Sequence, residues 1–276
     1  MLLASFLTCC SLLGRRPNSL NKNHLDYLKK QGFSDEDIQL MDDSTIHAIQ
    51  YSKSLSAYSV TYPQEDDFSF PDINTLSTDA SSVFKDNYIT IHLVVSEVSK
   101  AKYHFYATSK WDKRPFCRGT DSFSICADGI VPVVSTANGY VTDIQTVHVT
   151  NGNHPYNNTK NEIKSIASDD FSAGSQQSLS GIGYLYDLPD DSTIVQTDYR
   201  YTEVQFHLSF DAYLQYPNQS QYFNVYAIHD HLERSFEGKV SLTFSTKGSC
   251  LGLGLNSSWK SHRRYAVTQN PIYYEA

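Results

Sequence analysis

Sulfur and tryptophan are scarce in this chain, whose 276 residues include only 5 Cys, 2 Met and 2 Trp. The cysteines fall at Cys9, Cys10, Cys117, Cys126 and Cys250, a spacing that matches no zinc-ligand pattern. Positive charge is short as well: 22 Lys and Arg face 30 Asp and Glu, for a formal net charge of −8. Phosphate backbones need a basic face, so nucleic acid is excluded as a partner. Catalytic signatures are also missing. There is no Gly-x-Ser-x-Gly elbow and no His-Glu-x-x-His helix, and the carboxylates are scattered. The lone Gly252-Leu253-Gly254 sits in a strand-like run, not ahead of a helix, which excludes a phosphate loop. No cofactor follows from the sequence, and no internal repeat of fixed period is present.

Aromatic residues are plentiful, with 20 Tyr and 14 Phe. Tyr, Phe, Val and Thr suit a pleated, half-buried surface, and strong helix formers thin out after residue 60. Residues 203–213 show the clearest strand. Val204, Phe206, Leu208 and Phe210 share one face, and Glu203, Gln205, His207, Ser209 and Asp211 share the other. Such alternation predicts an antiparallel sheet with one wet face. Val240, Leu242 and Phe244 repeat it, as do Leu251, Leu253 and Leu255. Turn signals at Asn138-Gly139, Asn151-Gly152, Pro189-Asp190-Asp191, Pro217-Asn218 and Glu237-Gly238 punctuate these runs. The Ser- and Gly-rich residues 165–183 read as a long exposed loop.

These signals divide the chain into four parts. Residues 1–19 open with an uncharged apolar stretch, MLLASFLTCCSLLG, followed by Arg15 and Arg16. That stretch is too short to span a bilayer and reads as a clipped or atypical export signal, a signal-peptide-like leader. Residues 20–51 have helical period, with Leu25 and Leu28 on one face, Gly32 as a stop and Ser34-Asp35-Glu36-Asp37 as a fresh start. They predict two or three short helices whose few apolar residues leave them separable from the rest. Residues 52–85, with Pro63, Pro71 and the acidic Glu65-Asp66-Asp67, read as a linker or irregular segment. Residues 86–276 follow as the main domain. The fold class expected is mainly β: an antiparallel β-sandwich preceded by a small helical unit.

Candidate site residues fall into three groups. Trp111, Arg114, Arg118 and Asp121 form the densest cluster of recognition-type residues, since Trp and Arg dominate binding hot spots. The alternative is a Trp that plugs one end of the sandwich, with Arg118 paired to Asp121. His229 and His231 flank Asp230, and an extended backbone puts both imidazoles on one face, as a sheet metal site requires. A hairpin centred near residue 98 would likewise set His92 opposite His104, with His207 or an Asp as a further ligand; ordinary structural histidines are the alternative. Cys117 and Cys126 enclose eight residues around Gly119, so a disulfide across a turn is one reading and buried thiols the other. The basic, aromatic-flanked residues 259–265 read as a solvated strand end or a contact for an acidic surface.

Three stretches carry a resemblance: the run from Tyr27 through Phe33 to Ile38, the stretch from Trp111 to Asp121, and Tyr186-Asp187-Leu188-Pro189. In these the chain resembles exported, uncharacterised proteins of Gram-positive bacteria, which implies a bacterial protein that is secreted or held at the cell surface. The function expected is therefore a binding module on a sandwich, its partner a protein, a glycan or a membrane surface. A membrane-acting β pore former and a secreted hydrolase are the alternatives.

Overall fold

The helical period of residues 20–51 resolves into α1 (Lys22–Lys30), α2 (Asp35–Gln39) and α3 (Asp43–Gln50). Each helix begins at a short polar side chain that accepts from an otherwise unpaired amide: Asn21 from His24, Ser34 from Asp37, Asp42 from Thr45. Ser34 and Asp37 cap each other reciprocally. Gly32, at φ 94°, turns the chain out of α1 in a conformation that disfavours any Cβ. The computed structural model describes residues 20–63, 87–111, 119–149, 156–176, 179–188, 192–194, 197–232, 261–268 and 271–276. Among the described residues no helix is long and apolar enough to cross a membrane.

Beyond the helices the chain runs through β1 (Ser54–Pro63), β2 (Asn87–Ser99), β3 (Lys102–Trp111), β4 (Thr120–Asp128), β5 (Ile130–Val149), β6 (Tyr156–Ser165) and β7 (Ser172–Gln176). It continues through β8 (Leu179–Asp187), β9 (Ser192–Ile194), β10 (Thr197–Leu214), β11 (Gln221–Phe223), β12 (Val225–Leu232), β13 (Ser261–Val267) and β14 (Ile272–Tyr274). A seven-stranded sheet has the order β1-β2-β3-β10-β5-β6, with β9 also on β10; a five-stranded sheet has the order β13-β12-β4-β8-β7. A two-stranded sheet joins β11 to β14, and every pairing is antiparallel. The fold is the expected one: mainly β, a sandwich preceded by short helices.

The main core lies between the two large sheets. Leu93, Phe105, Phe206 and Phe210 from one pack with Phe123, Ile125, Ile182 and Ala227 from the other. Phe123 meets Phe206 with ring centroids 6.2 Å apart, and Tyr184 meets the same ring at 6.4 Å. Each such buried side chain contributes roughly 1.5–3 kcal/mol by leaving water, which is why the alternation in β10 dominates the local structure. A second cluster, Leu28, Phe33, Ile38, Met41 and Ile49 with Ala57, Val94 and Tyr106, seats the helices on the outer face of the seven-stranded sheet.

Several expectations are corrected. The face of β10 expected to be wet is covered by the helical unit, so Gln205, His207 and Ser209 are buried. The linker assigned to residues 52–85 contains β1, an edge strand on β2 that ends at Pro63, where a missing amide costs nothing. Asn138-Gly139 is not a turn but lies inside β5, where Gly139 faces Leu208; a Cβ there would sit 2.9 Å from the Phe171 ring. Residues 165–183 are not a loop, because they supply β7 and much of β8. The glycines there answer crowding: a Cβ on Gly181 would stand 2.3 Å from the carbonyl oxygen of Ile125. Pro217-Asn218 does turn the chain, between β10 and β11. The runs through Val240 and Leu251 lie outside the described residues.

Candidate functional site

Two groups that the sequence keeps apart meet in the core. Trp111 ends β3 in the large sheet, Asp121 lies on β4, and His229 and His231 lie on β12 with Asp121 directly opposite His231. Residues 121, 123, 125 and 127 of β4 point toward the large sheet, as do 225, 227, 229 and 231 of β12, so strand period alone brings the carboxylate and both imidazoles to one layer. Trp111 Nε1 donates to Asp121 Oδ2 at 2.8 Å. His229 Nε2 lies 2.8 Å from the same oxygen, and His231 Nδ1 lies 2.5 Å from Oδ1. The second nitrogen of His229 meets Ser109 Oγ at 2.7 Å. The indole stands edge-on to both imidazoles, with centroids 5.6 Å and 5.1 Å away.

Burial pushes the Asp121 carboxyl up, but the charge of the two imidazoles and their hydrogen bonds outweigh it and hold the group at about 2. The order Ser109–His229–Asp121 is that of a nucleophile, a base and an orienting acid. All three side chains are wholly buried, however, and general acid–base chemistry needs a substrate within hydrogen-bond reach. The cluster therefore pins β3 to β4 and β12 across the sandwich. His229 and His231 direct a nitrogen each at a carboxylate oxygen, not at a shared point. Among the described residues no group of three or more His, Cys, Asp or Glu side chains is arranged to hold a metal ion. Arg114, Arg118 and Cys117 lie outside the described residues, as do the side chains of residues 259–265. Ser109 was missed because a serine carries no signal of a partner 120 positions away.

The other histidines serve the helical unit. His92 pairs with Thr108 and His104 with Ser96, because the hairpin turns at Ala101 (φ 60°) and a bulge lies between Glu97 and Ser99. They are therefore not opposite each other, which corrects the expected pair. His92 Nε2 instead lies 3.4 Å from Asp37 of α2. His104 links Thr45 of α3, at 2.9 Å, to Asp211 of β10, at 2.8 Å. Asp42 accepts from Ser209 Oγ at 2.7 Å. His207 stacks on Tyr140 at 4.2 Å, and full burial drives its imidazole down to about 3.

The disulfide expected between Cys117 and Cys126 falls in part on Cys117, which lies outside the described residues. Cys126 is disulfide-bonded. β4 pairs with β8 without a register break, and Leu188 N donates to Gly119 O at 2.9 Å, so the chain is extended from 119 to 126. Seven residues at about 3.3 Å each place Gly119 about 23 Å from Cys126.

At one end of the sandwich the surface is tyrosine-rich. Tyr222 on β11 and Tyr273 on β14 are register partners, 68% and 52% exposed, with ring centroids 4.8 Å apart. Beneath them Phe223 is buried edge-on against Tyr103 at 5.0 Å, and the Tyr274 hydroxyl donates to Pro217 O at 2.8 Å. The pair is thus held on a rigid base. Tyr216, 51% exposed, follows from the adjoining turn, and Tyr213 is exposed on the last residues of β10. Residues 212–228 and 265–274, which supply both strands of this small sheet, contain no Asp, Glu, Lys, Arg or His. That absence was the readable signal, and attention to Trp and Arg passed over it.

No protein-family profile matches the chain, and no curated protein does. Among solved structures, one described by the phrase "AvmM Catalyzes Macrocyclization in Alchivemycin A Biosynthesis" is similar at 9% identity and a TM-score of 0.26, over 60% of this chain and 79% of that one. Clostridium perfringens delta-toxin is similar at 8% identity and 0.19, over 77% and 88%. The Clostridium perfringens NetB toxin in its membrane-inserted form is similar at 7% and 0.18, over 80% and 94%.

Proposed function

We propose that the chain is an exported β-sandwich binding module whose ligand surface is the tyrosine-bearing end. The exposed Tyr222–Tyr273 pair carries this reading. Large rigid aromatics with a polar tip are the residues that binding surfaces favour. The groups able to do acid–base work, Ser109, Asp121 and His229, are sealed in the core, which favours binding over hydrolysis. The disulfide at Cys126 fits an oxidising compartment and so supports export. Binding of labelled protein to intact Gram-positive cells tests the reading. Saturable binding lost in Tyr222→Ser/Tyr273→Ser is expected; no saturable binding, or binding indifferent to those changes, rejects it.

A second reading, a membrane-acting pore former, has one observation in its favour. β5 spans 20 residues and β10 spans 18, against the ~9–11 needed for a strand to cross a bilayer. The other segment this reading relies on, residues 235–245, lies outside the described residues. Liposome leakage assayed across pH tests it, and intact vesicles at every pH remove it.

A further inference from the structure

Resting on the binding-module reading, we infer that the Tyr222–Tyr273 platform, with Tyr216 and the amides of the adjoining turn, is a site for a neutral carbohydrate chain.

The first ground is charge. Both segments that build the small sheet are free of ionisable side chains other than tyrosine, in a chain where 19% of residues are charged. A sugar acid, a phosphate or an acidic peptide would call for a cation at the site, because charge-assisted hydrogen bonds are what hold such groups. The nearest sequence charge is Glu275, which follows β14 and would repel them, and the Lys102 ammonium, 5.8 Å from the Tyr213 ring, is already paired with Asp211 at 2.7 Å. The occupant that suits this surface is uncharged.

The second ground is the pairing of groups. Tyr222 and Tyr273 offer aromatic faces whose negative quadrupole attracts C–H bonds, and the face of a pyranose ring presents such a row. The turn that leads into β11 carries Gln215, Asn218, Gln219 and Ser220, all exposed, and ends at the partly exposed Gln221. Each amide carries two donors and an acceptor, and that combination matches sugar hydroxyls, which both donate and accept. Gln221 Nε2 is committed to Tyr216 O, weakly at 3.4 Å, which ties the third tyrosine to the platform.

A lipid surface fits less well. Membrane-anchoring tyrosines act with Lys and Arg toward anionic headgroups or with Leu and Phe that enter the acyl region. Here the intervening exposed residues are amides, and a net charge of −8 opposes an anionic leaflet. The third ground is rigidity. Phe223 and Tyr274 anchor alternate positions of both strands in the core, so the rings lose little freedom when a ligand docks.

The test is affinity gel electrophoresis of the full chain through gels holding soluble neutral polysaccharides (mixed-linkage β-glucan, glucomannan, soluble starch), with polygalacturonate as the acidic arm and phosphatidylcholine vesicle flotation beside it. Retardation by at least one neutral polysaccharide is expected. It should weaken by about tenfold or more in Tyr222→Ala and in Tyr273→Ala, while Tyr51→Ala, an exposed tyrosine on the helical unit, leaves it unchanged. Circular dichroism melts of the same variants report whether they fold. No retardation in any neutral gel overturns the carbohydrate assignment, as does retardation by polygalacturonate alone. Vesicle binding lost in the same variants overturns it too but leaves the tyrosine end as a binding surface. Carbohydrate binding that survives the double substitution overturns both.

Discussion

Trp111 and Asp121, ten residues apart in sequence, stand on opposite sheets of the sandwich and are joined through the core by the indole N–H and a carboxylate oxygen 2.8 Å away. Asp121 accepts from three ring donors, so removing it takes one charged acceptor from two buried imidazoles and an indole. Asp121→Ala is expected to cost about 3–5 kcal/mol, the scale for breaking one side of a buried charged network. Trp111→Phe removes one donor of three and should cost about 1–3 kcal/mol. Urea denaturation reads both as a lowered midpoint. A midpoint within experimental error of the wild type for Asp121→Ala would show that the cluster does not hold the sheets together.

Acid should loosen the helical unit through His207. Its folded-state value lies near 3 against an ordinary 6.5, so the unfolded chain binds the extra proton between those limits. Stability therefore falls as pH drops from about 6.5 toward 3, by about 1.4 kcal/mol per unit for this residue. The groups near His207 are Tyr106 and Tyr140, with Asp37 and Asp42 of the helical unit favouring the charged ring more weakly than burial opposes it. Carboxylates act in a lower window: Asp121 and Asp211, both held near 2, lose their contribution as pH falls from about 4 through 2. His207→Phe keeps the stacking on Tyr140 and removes the titration. The stability difference between pH 7 and pH 4.5 should shrink by roughly 3 kcal/mol in that variant, and an unchanged difference would rule out His207 as the acid-labile group.

Deleting residues 20–50 should leave a sandwich that still unfolds cooperatively. The helices bury Leu28, Ile38, Met41 and Ile49 against a sheet face that contributes mainly Ala57, Val94 and Tyr106. The rest of that face is polar, with His92, Ser96, His104, Gln205, His207 and Ser209, and can meet water at little cost. The apolar burial lost is largely offset by the ordering entropy of some thirty residues, at about 1–2 kcal/mol each. A sharp transition with a lowered midpoint is expected from circular dichroism. A broad, non-cooperative melt would mean that the two clusters fold as one.

Much of the fold was legible because β10 alternates cleanly and Ser34 and Asp37 announce a helix start. What failed has a common cause: local signals cannot report what lies across a sheet. Gln205, His207 and Ser209 look solvent-facing along the strand, yet the helical unit covers them. Gly139, Gly181 and Gly183 look like turn residues, yet they make room for Phe171 and for β4. The four site residues Trp111, Asp121, His229 and His231 were each picked out. Their convergence depends on β4 lying beside β12, which no spacing encodes. Arg114 and Arg118 drew attention as binding residues, whereas the exposed aromatic surface is marked by a lack of charge.

The disulfide at Cys126 offers a direct check on β4. On this strand Phe123, Ile125 and Ala127 enter the core between the sheets, so Cys126 faces away from the large sheet along with Ser122 and Ser124. Because the chain is extended from 119 to 126, the partner expected for Cys126 is Cys9, Cys10 or Cys250 and not Cys117. Cys117→Ser should therefore leave the bridge intact, and Cys126→Ser should abolish it. Closing a loop this way contributes about 2–4 kcal/mol, so Cys126→Ser should also lower the unfolding midpoint, while Cys117→Ser should change it little. Mass spectrometry of unreduced tryptic peptides decides the matter. A linked pair of peptides carrying Cys117 and Cys126 would mean that the chain does not run straight through residues 119–126.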